Sequence, residues 1–147
     1  MLASISNLAL VLYHKGEYEE AEKMHRRALE LTEKAWGKEH PLTLVSINNL
    51  ALVLFEKGEY EEAEKLHQKG LNAREKVLGK GHPDTLSSAY SLAILYHKLK
   101  KYDTAFELYE WACDGYKRTL GPNHYKTVQC FKEFSEMVQE MSLNKQH

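Results

Sequence analysis

Cysteine, net charge and long apolar runs are all scarce in this chain, and each shortage excludes something. Among 147 residues there are two cysteines, Cys113 and Cys130. They have no CxxC spacing and no secretory context, so they read as free thiols of a cytosolic helical protein and not as a disulfide or metal framework. Twenty basic residues face twenty-one acidic ones, for a formal net charge of −1. A phosphate-binding surface needs a basic surplus gathered on one face, so nucleic acid is not expected as a partner. No run of 18 apolar residues occurs, which leaves no candidate membrane helix. The apolar start, MLASISNLALVL, lacks the basic n-region and the small-residue cleavage site of a signal peptide. GxxxxGK, GxGxxG, HExxH and GxSxG are all missing, so neither phosphate cradling nor the common hydrolase arrangements have support. The chain is therefore read as a non-enzyme without cofactor or metal. No segment alternates with period two over a useful length, and no sheet is expected.

What the chain has in abundance is itself. NLALVL at 7–12 returns unchanged at 49–54, and KGEYEEAEK at 15–23 returns at 57–65, both shifted by 42 residues. GKEHPLTL from Gly37, GKGHPDTL from Gly79 and GPNHYKTV from Gly121 keep the same period. A third, worn copy begins with SLAILY at Ser91 and KLKKYDTAFE at Lys98. Self-similarity of this kind marks a tandem repeat, and it decides the fold class.

Each unit reads as two helices. Ile47, Leu50, Ala51 and Leu54 recur at helical spacing, and Gly58 then ends the helix in a left-handed conformation. The second helix stacks acidic residues early and basic residues late, in accord with its dipole. The pattern predicts helices near 1–15, 17–36, 41–57, 59–78, 83–99, 101–120 and 124–141. Ala9, Ala51 and Ala93 share one repeat position and Ala21, Ala63 and Ala105 another, which lets helix axes approach closely. Tyr18, Tyr60 and Tyr102 read as aromatic wedges, ring inward and hydroxyl at the edge. His25 and His67, with Tyr109 at the same position, read as packing residues. His40, His82 and His124 stand at the joints. Two helix layers separate equivalent positions, too far for a shared zinc ion, so each is expected to bond its loop or cap the helix that Pro41 or its counterpart begins.

Leu50–Ala51, Gly58, Tyr60, Ala63 and Leu71 resemble the helix-turn-helix signature of tetratricopeptide repeats. The 42-residue period and the LGKGHPDTL joint resemble the longer variant of kinesin light chains and of fungal and bacterial tandem arrays. The resemblance implies an all-α, right-handed superhelical solenoid of antiparallel helix pairs. The repeats would span 1–37, 38–79 and 80–121, followed by a capping helix over 122–143. In that last helix Val128, Phe131, Phe134 and Val138 form the expected apolar side, and Lys132, Glu133, Glu136, Gln139 and Glu140 lie elsewhere. Met1 falls at the register of Thr43, so the first unit lacks its own entry and reads as a fragment of a longer array or a shortened end.

The resemblance further implies a concave groove formed by the first helix of each pair. Its expected lining in the first repeat is Ser6, Asn7, Leu10, Tyr13 and His14, beside Ala3. In the second it is Asn48, Asn49, Leu52, Phe55 and Glu56, beside Val45. In the third it is Tyr90, Ser91, Ile94, His97 and Lys98, beside Ser87. Inward asparagines of kinesin-type repeats contact the main chain of bound peptides, which implies that role for Asn7 and Asn49, with Ser91 breaking the series. The alternative is that these amides bond a neighbouring helix. Glu56 would repel a C-terminal carboxylate, so that ligand class is not expected. The expected function is a cytoplasmic, non-catalytic scaffold binding a peptide or helix of a partner protein. The alternative is an assembly or regulatory segment of a larger receptor-like protein, associating through exposed repeat ends.

Overall fold

The computed structural model describes residues 17–145, and within them it contains six helices and no strand. These are α1 (Tyr18–Trp36), α2 (Pro41–Lys57), α3 (Tyr60–Leu78), α4 (Pro83–Lys98), α5 (Tyr102–Leu120) and α6 (Tyr125–Lys145). Their ends follow the expected ones closely, except that α6 runs on to Lys145. The helix expected over 1–15 lies outside the described residues. The chain divides into two compact units, 1–73 and 74–147, with the division inside α3.

The joints explain where helices begin. Nδ1 of His40, His82 and His124 accepts a hydrogen bond from the backbone N–H two residues on, at 3.1, 3.0 and 3.1 Å. Each histidine thus takes the N-cap role usually filled by Ser, Thr, Asp or Asn, satisfying one of the orphan donors of the first turn. Pro41 and Pro83 follow at the first helical position, where no amide hydrogen is missed. The three histidines are three separate caps.

Helix ends follow as directly. Gly58 closes α2 in the left-handed region at φ 84°, donating to the Leu54 and Phe55 carbonyls. At the equivalent turn after α4, Lys100 adopts φ 61°, the one positive φ among described non-glycine residues. An L-residue carrying a Cβ is strained there by roughly 1–2 kcal/mol. Lys100→Gly is therefore expected to stabilise the chain by about 0.5–1 kcal/mol after the entropy that glycine costs the unfolded state is deducted. Urea titration with far-UV circular dichroism would show it as a higher midpoint, and a lower one would deny the strain.

In the first unit α1 packs on α2, and α2 on α3 through Ile47 and Gly70. Ala21, Ala28, Ile47, Leu50, Ala51, Leu54, Ala63 and Leu71 are sealed from solvent. His25 and His67 are buried packing residues as expected, and burial holds the His25 imidazole below its ordinary pKa, so it is packed neutral. The repeated KGEYEEAEK motif has a second use here. Lys57, from its second copy, meets Glu19 at 2.9 Å and Glu22 at 2.5 Å from its first, while Arg26 bridges Glu22 at 2.8 Å and Glu62 at 2.7 Å. Glu59 and Glu62, among the early acidic residues of that motif's second copy, thus belong to an ion-pair network.

Gly70 occupies the position held by Ala28 and Ala112 in the other repeats. A Cβ built on it would lie 3.5 Å from Ile47 Cγ2, an ordinary van der Waals contact. Gly70→Ala should accordingly gain about 1 kcal/mol from helix propensity without a steric penalty, read as a higher urea midpoint. Destabilisation would show that α2 and α3 approach more closely than this.

In the second unit α5 packs on both α4 and α6. Leu86, Ala89, Leu92, Ala93, Leu95, Tyr109, Ala112, Cys113, Tyr116, Cys130 and Met137 form its core. Arg74 is buried and spans to α4, donating to the Asp84 carbonyl at 3.1 Å and to Ser88 Oγ at 2.9 Å. The packed side of α6 differs from the expected one. Thr127, Cys130 and Met137 are buried and Phe134 is half-buried, whereas Val128, Phe131 and Val138 face solvent. The reason is register. Thr127 and Cys130 stand 42 residues beyond Thr85 and Ser88, small or polar residues that are buried in α4 in the same way.

Candidate interaction surface

A helix that buries most of its circumference leaves one narrow arc for a partner. In α2, Thr43, Leu44, Ser46, Ile47, Leu50, Ala51, Val53 and Leu54 are buried. The remaining arc is Val45, Asn48, Asn49, Leu52, Phe55 and Glu56, so five of the expected groove residues do share one face. Asn48, Asn49, Leu52 and Phe55 are half-buried and Glu56 is exposed. Phe55 is held by an edge-on contact with Tyr60, ring centroids 5.4 Å apart.

The amides on this arc are unusual. Among the described residues, nothing donates to the buried Asn48 Oδ1 and none engages the Asn49 side chain. Buried amides are normally satisfied, because an unpaired polar group is costly to desolvate. Two amides side by side, each able to donate and accept, can therefore bond an extended main chain. Ser6, Asn7, Leu10, Tyr13 and His14 of the expected groove lie outside the described residues.

The second unit treats the corresponding positions differently. On α4, Tyr90, Ser91, Ile94 and His97 are half-buried and Lys98 is exposed. Tyr90 and His97 are already engaged within the unit. Tyr90 Oη donates to Glu133 of α6, and His97 Nε2 meets Glu140 Oε2 at 2.5 Å. Tyr102 Oη adds a bond to Glu140 Oε1 at 3.1 Å and accepts one from Asn144 Nδ2 at 3.0 Å. Burial and the Glu133 carboxylate hold the Tyr90 hydroxyl far above its ordinary pKa, so it remains a donor. The bond to His97 keeps Glu140 below the usual carboxylate range. Ser87 and Tyr90, with Tyr116, Tyr125, Lys126 and Gln129, line a cavity of about 170 Å³.

Glu133 and Glu140 were expected merely away from the apolar side of α6, and their ties to α4 went unread. The period carried the signal: Ser91 and Lys98 plus 42 residues arrive at Glu133 and Glu140. The two cysteines also meet, Cys113 donating to Cys130 across α5 and α6 with sulfurs 2.8 Å apart. That bond, with burial, raises the Cys130 thiol far above its ordinary pKa, which makes it a packing group without thiolate character. Among the described residues no three His, Cys, Asp or Glu side chains converge as metal ligands, and no helix is long and apolar enough to cross a membrane.

Comparison with known proteins places this geometry. The sequence model described as tetratricopeptide repeat matches residues 1–76 and 46–118. No curated protein sequence matches significantly. Among solved structures, a kinesin-light-chain-type protein of Podosopora anserina with nearly identical TPR-like repeats superposes with a TM-score of 0.87 at 27% identity, over 94% of this chain. This chain spans 65% of the length of that one. BtubC (BKLC) from P. vanneervenii gives 0.72 at 18% identity, covering 96% of this chain and 64% of its own. The Sgt2 TPR domain of Aspergillus fumigatus gives 0.65 at 15% identity, covering 96% and 81%. The last two likenesses concern the fold.

Proposed function

The chain belongs to the tetratricopeptide-repeat family, whose members generally mediate protein–protein interaction, and on that premise we propose that it is a non-catalytic cytoplasmic scaffold whose first-helix faces bind a peptide or helical segment of a partner protein. The observation that supports this reading is the buried Asn48 Oδ1, which has no hydrogen-bond donor among the described residues, beside the half-buried Asn49, Leu52 and Phe55 on α2. Apolar side chains supply area, and the amides supply main-chain hydrogen bonds whose cost of desolvation a ligand would remove. In the second unit Ser91, Ile94 and Lys98 offer contacts, while Glu133 and Glu140 lend acidity that disfavours an anionic ligand.

The test begins with peptides selected from a random display library against the full chain. Asn48→Ala with Asn49→Ala should weaken a selected peptide by about tenfold or more, with the melting temperature little changed, because neither amide holds a described hydrogen bond. Phe55→Ala is a poorer probe, since Phe55 also packs on Tyr60. Undiminished binding in the double variant would reject the α2 face.

A further inference from the structure

The joint before α6 departs from those before α2 and α4. Where Pro41 and Pro83 begin their helices, α6 begins with Tyr125. Where Arg74 reaches the Asp84 carbonyl and Ser88 Oγ, the residues 42 places on are Tyr116, Lys126 and Cys130. A long cation bonded across the joint is thus replaced by a ring. Beside that ring lies the cavity of about 170 Å³ lined by Ser87, Tyr90, Tyr116, Tyr125, Lys126 and Gln129. Tyr116 is 2% exposed and forms its deep wall, while Tyr125, 72% exposed, stands at the mouth. The hydroxyls of the inner tyrosines are already used. Tyr90 Oη donates to Glu133, and Tyr116 Oη is hydrogen-bonded to the Ser87 hydroxyl. What lines the cavity is therefore chiefly carbon. Its mouth also stays open wherever the repeat continues. Pro41, at the place of Tyr125, and Val45, at the place of Gln129, are exposed although α3 follows them.

We propose that this cavity is a pocket for one aromatic ring, the side chain of a phenylalanine or tyrosine presented by a partner protein. Volume sets the size. An enclosed apolar cavity of about 150 Å³ takes up a single benzene ring, so one ring fits and the fused rings of tryptophan do not. The walls set the type, because three tyrosine rings give a guest ring edge-on or offset contacts that an aliphatic side chain cannot make. Three rings also suit an ammonium ion, but Lys126 lines the same cavity and repels one. That the ring belongs to a protein rests on the scaffold reading above; that the cavity takes a ring does not. The cavity lies in the second unit and Asn48 and Asn49 in the first, so either proposal can fail alone.

The probe is N-acetyl-phenylalaninamide, titrated into the full chain and followed by ¹H–¹⁵N correlation spectra. It should give saturable shifts at the amides of Ser87 and Gln129. The corresponding amides of leucine and tryptophan should bind about fivefold more weakly or worse. Tyr125→Pro should weaken the phenylalanine amide by a similar factor, with the melting curve in place, because proline already begins α2 and α4 at that position. Asn48→Ala with Asn49→Ala should leave binding intact. Shifts that never saturate, a leucine or tryptophan amide that binds as well, or an unchanged affinity in Tyr125→Pro overturns the proposal. So does a loss of binding in the double asparagine variant, which would place the ring elsewhere. Toluene that binds where the phenylalanine amide does not would overturn it too, by giving the pocket to a free aromatic molecule.

Discussion

Tyr109→Ala is expected to destabilise the second unit by about 3–5 kcal/mol, the range for removing a large aromatic side chain from a packed core. Tyr109 is 1% exposed and lies among the rings of all three helices of its unit. Its own ring stacks on Phe134 of α6 at 5.5 Å, and meets Tyr90 at 6.3 Å and His97 at 6.4 Å, both on α4. Tyr90 and His97 in turn hold Glu133 and Glu140. Deleting the ring leaves a void that these neighbours cannot fill without giving up those bonds, so the cavity term should add to the transfer term. Each unit holds one tryptophan, Trp36 in the first and Trp111 in the second, and a Trp36→Phe background reports the second unit alone by fluorescence during urea unfolding. Tyr109→Phe is the control. It keeps the ring and should keep most of the stability. A loss below about 1 kcal/mol for Tyr109→Ala would mean that α4, α5 and α6 pack independently of this residue.

That cluster also shows what the sequence could and could not say. The tandem period made six helices legible, together with the caps of His40, His82 and His124, the stop at Gly58 and the buried alanines. All of these are local, set by a residue's own backbone or its immediate helical neighbours. Tyr109 itself was legible as a packing position, because His25 and His67 share it. Its partners were not. Which carboxylate Tyr90 and His97 would find, that Lys57 would join two copies of one motif, and that Arg74 would reach Ser88 all depend on side chains brought together by packing between helices. Periodicity gives the face on which a residue lies, not its bonding partner. The error at α6 has a different origin. Hydrophobicity chose Val128, Phe131 and Val138 for the inward side, whereas register chose Thr127, Cys130 and Met137. In a repeat protein each helix buries two sides, one against the preceding pair and one against its own partner. Hydrophobicity alone cannot distinguish them. The positions of Thr43 and Ser46, polar by type and buried in fact, were the better guide.

The same close approach of helix pairs makes Gly115→Ala the second large effect, of opposite sign to Gly70→Ala. Both glycines lie within helices that a methyl group would favour by about 1 kcal/mol. They differ in what the methyl meets. At Gly115 a Cβ would fall 2.7 Å from Leu86 Cδ1 and 3.1 Å from Leu86 Cγ, with Cδ2 nearer still. Leu86 is fully enclosed, so its side chain has nowhere to retreat without moving α4 away from α5. Overpacking a sealed site costs roughly 1–3 kcal/mol, enough to outweigh the propensity gain. The variant should lower the urea midpoint of the second unit. A double-mutant cycle isolates the cause: Leu86→Val removes a methylene from the clash, so Gly115→Ala should be less harmful in that background than in the parent, with a coupling of about 1 kcal/mol or more. The repeat position occupied by Gly115 holds Ala73 in the preceding copy, which gives the rival outcome a definite meaning. If Gly115→Ala raised the midpoint, Leu86 would be free to take another rotamer, and the spacing of α4 and α5 would be set by Ala105 and Ala112 without help from the glycine.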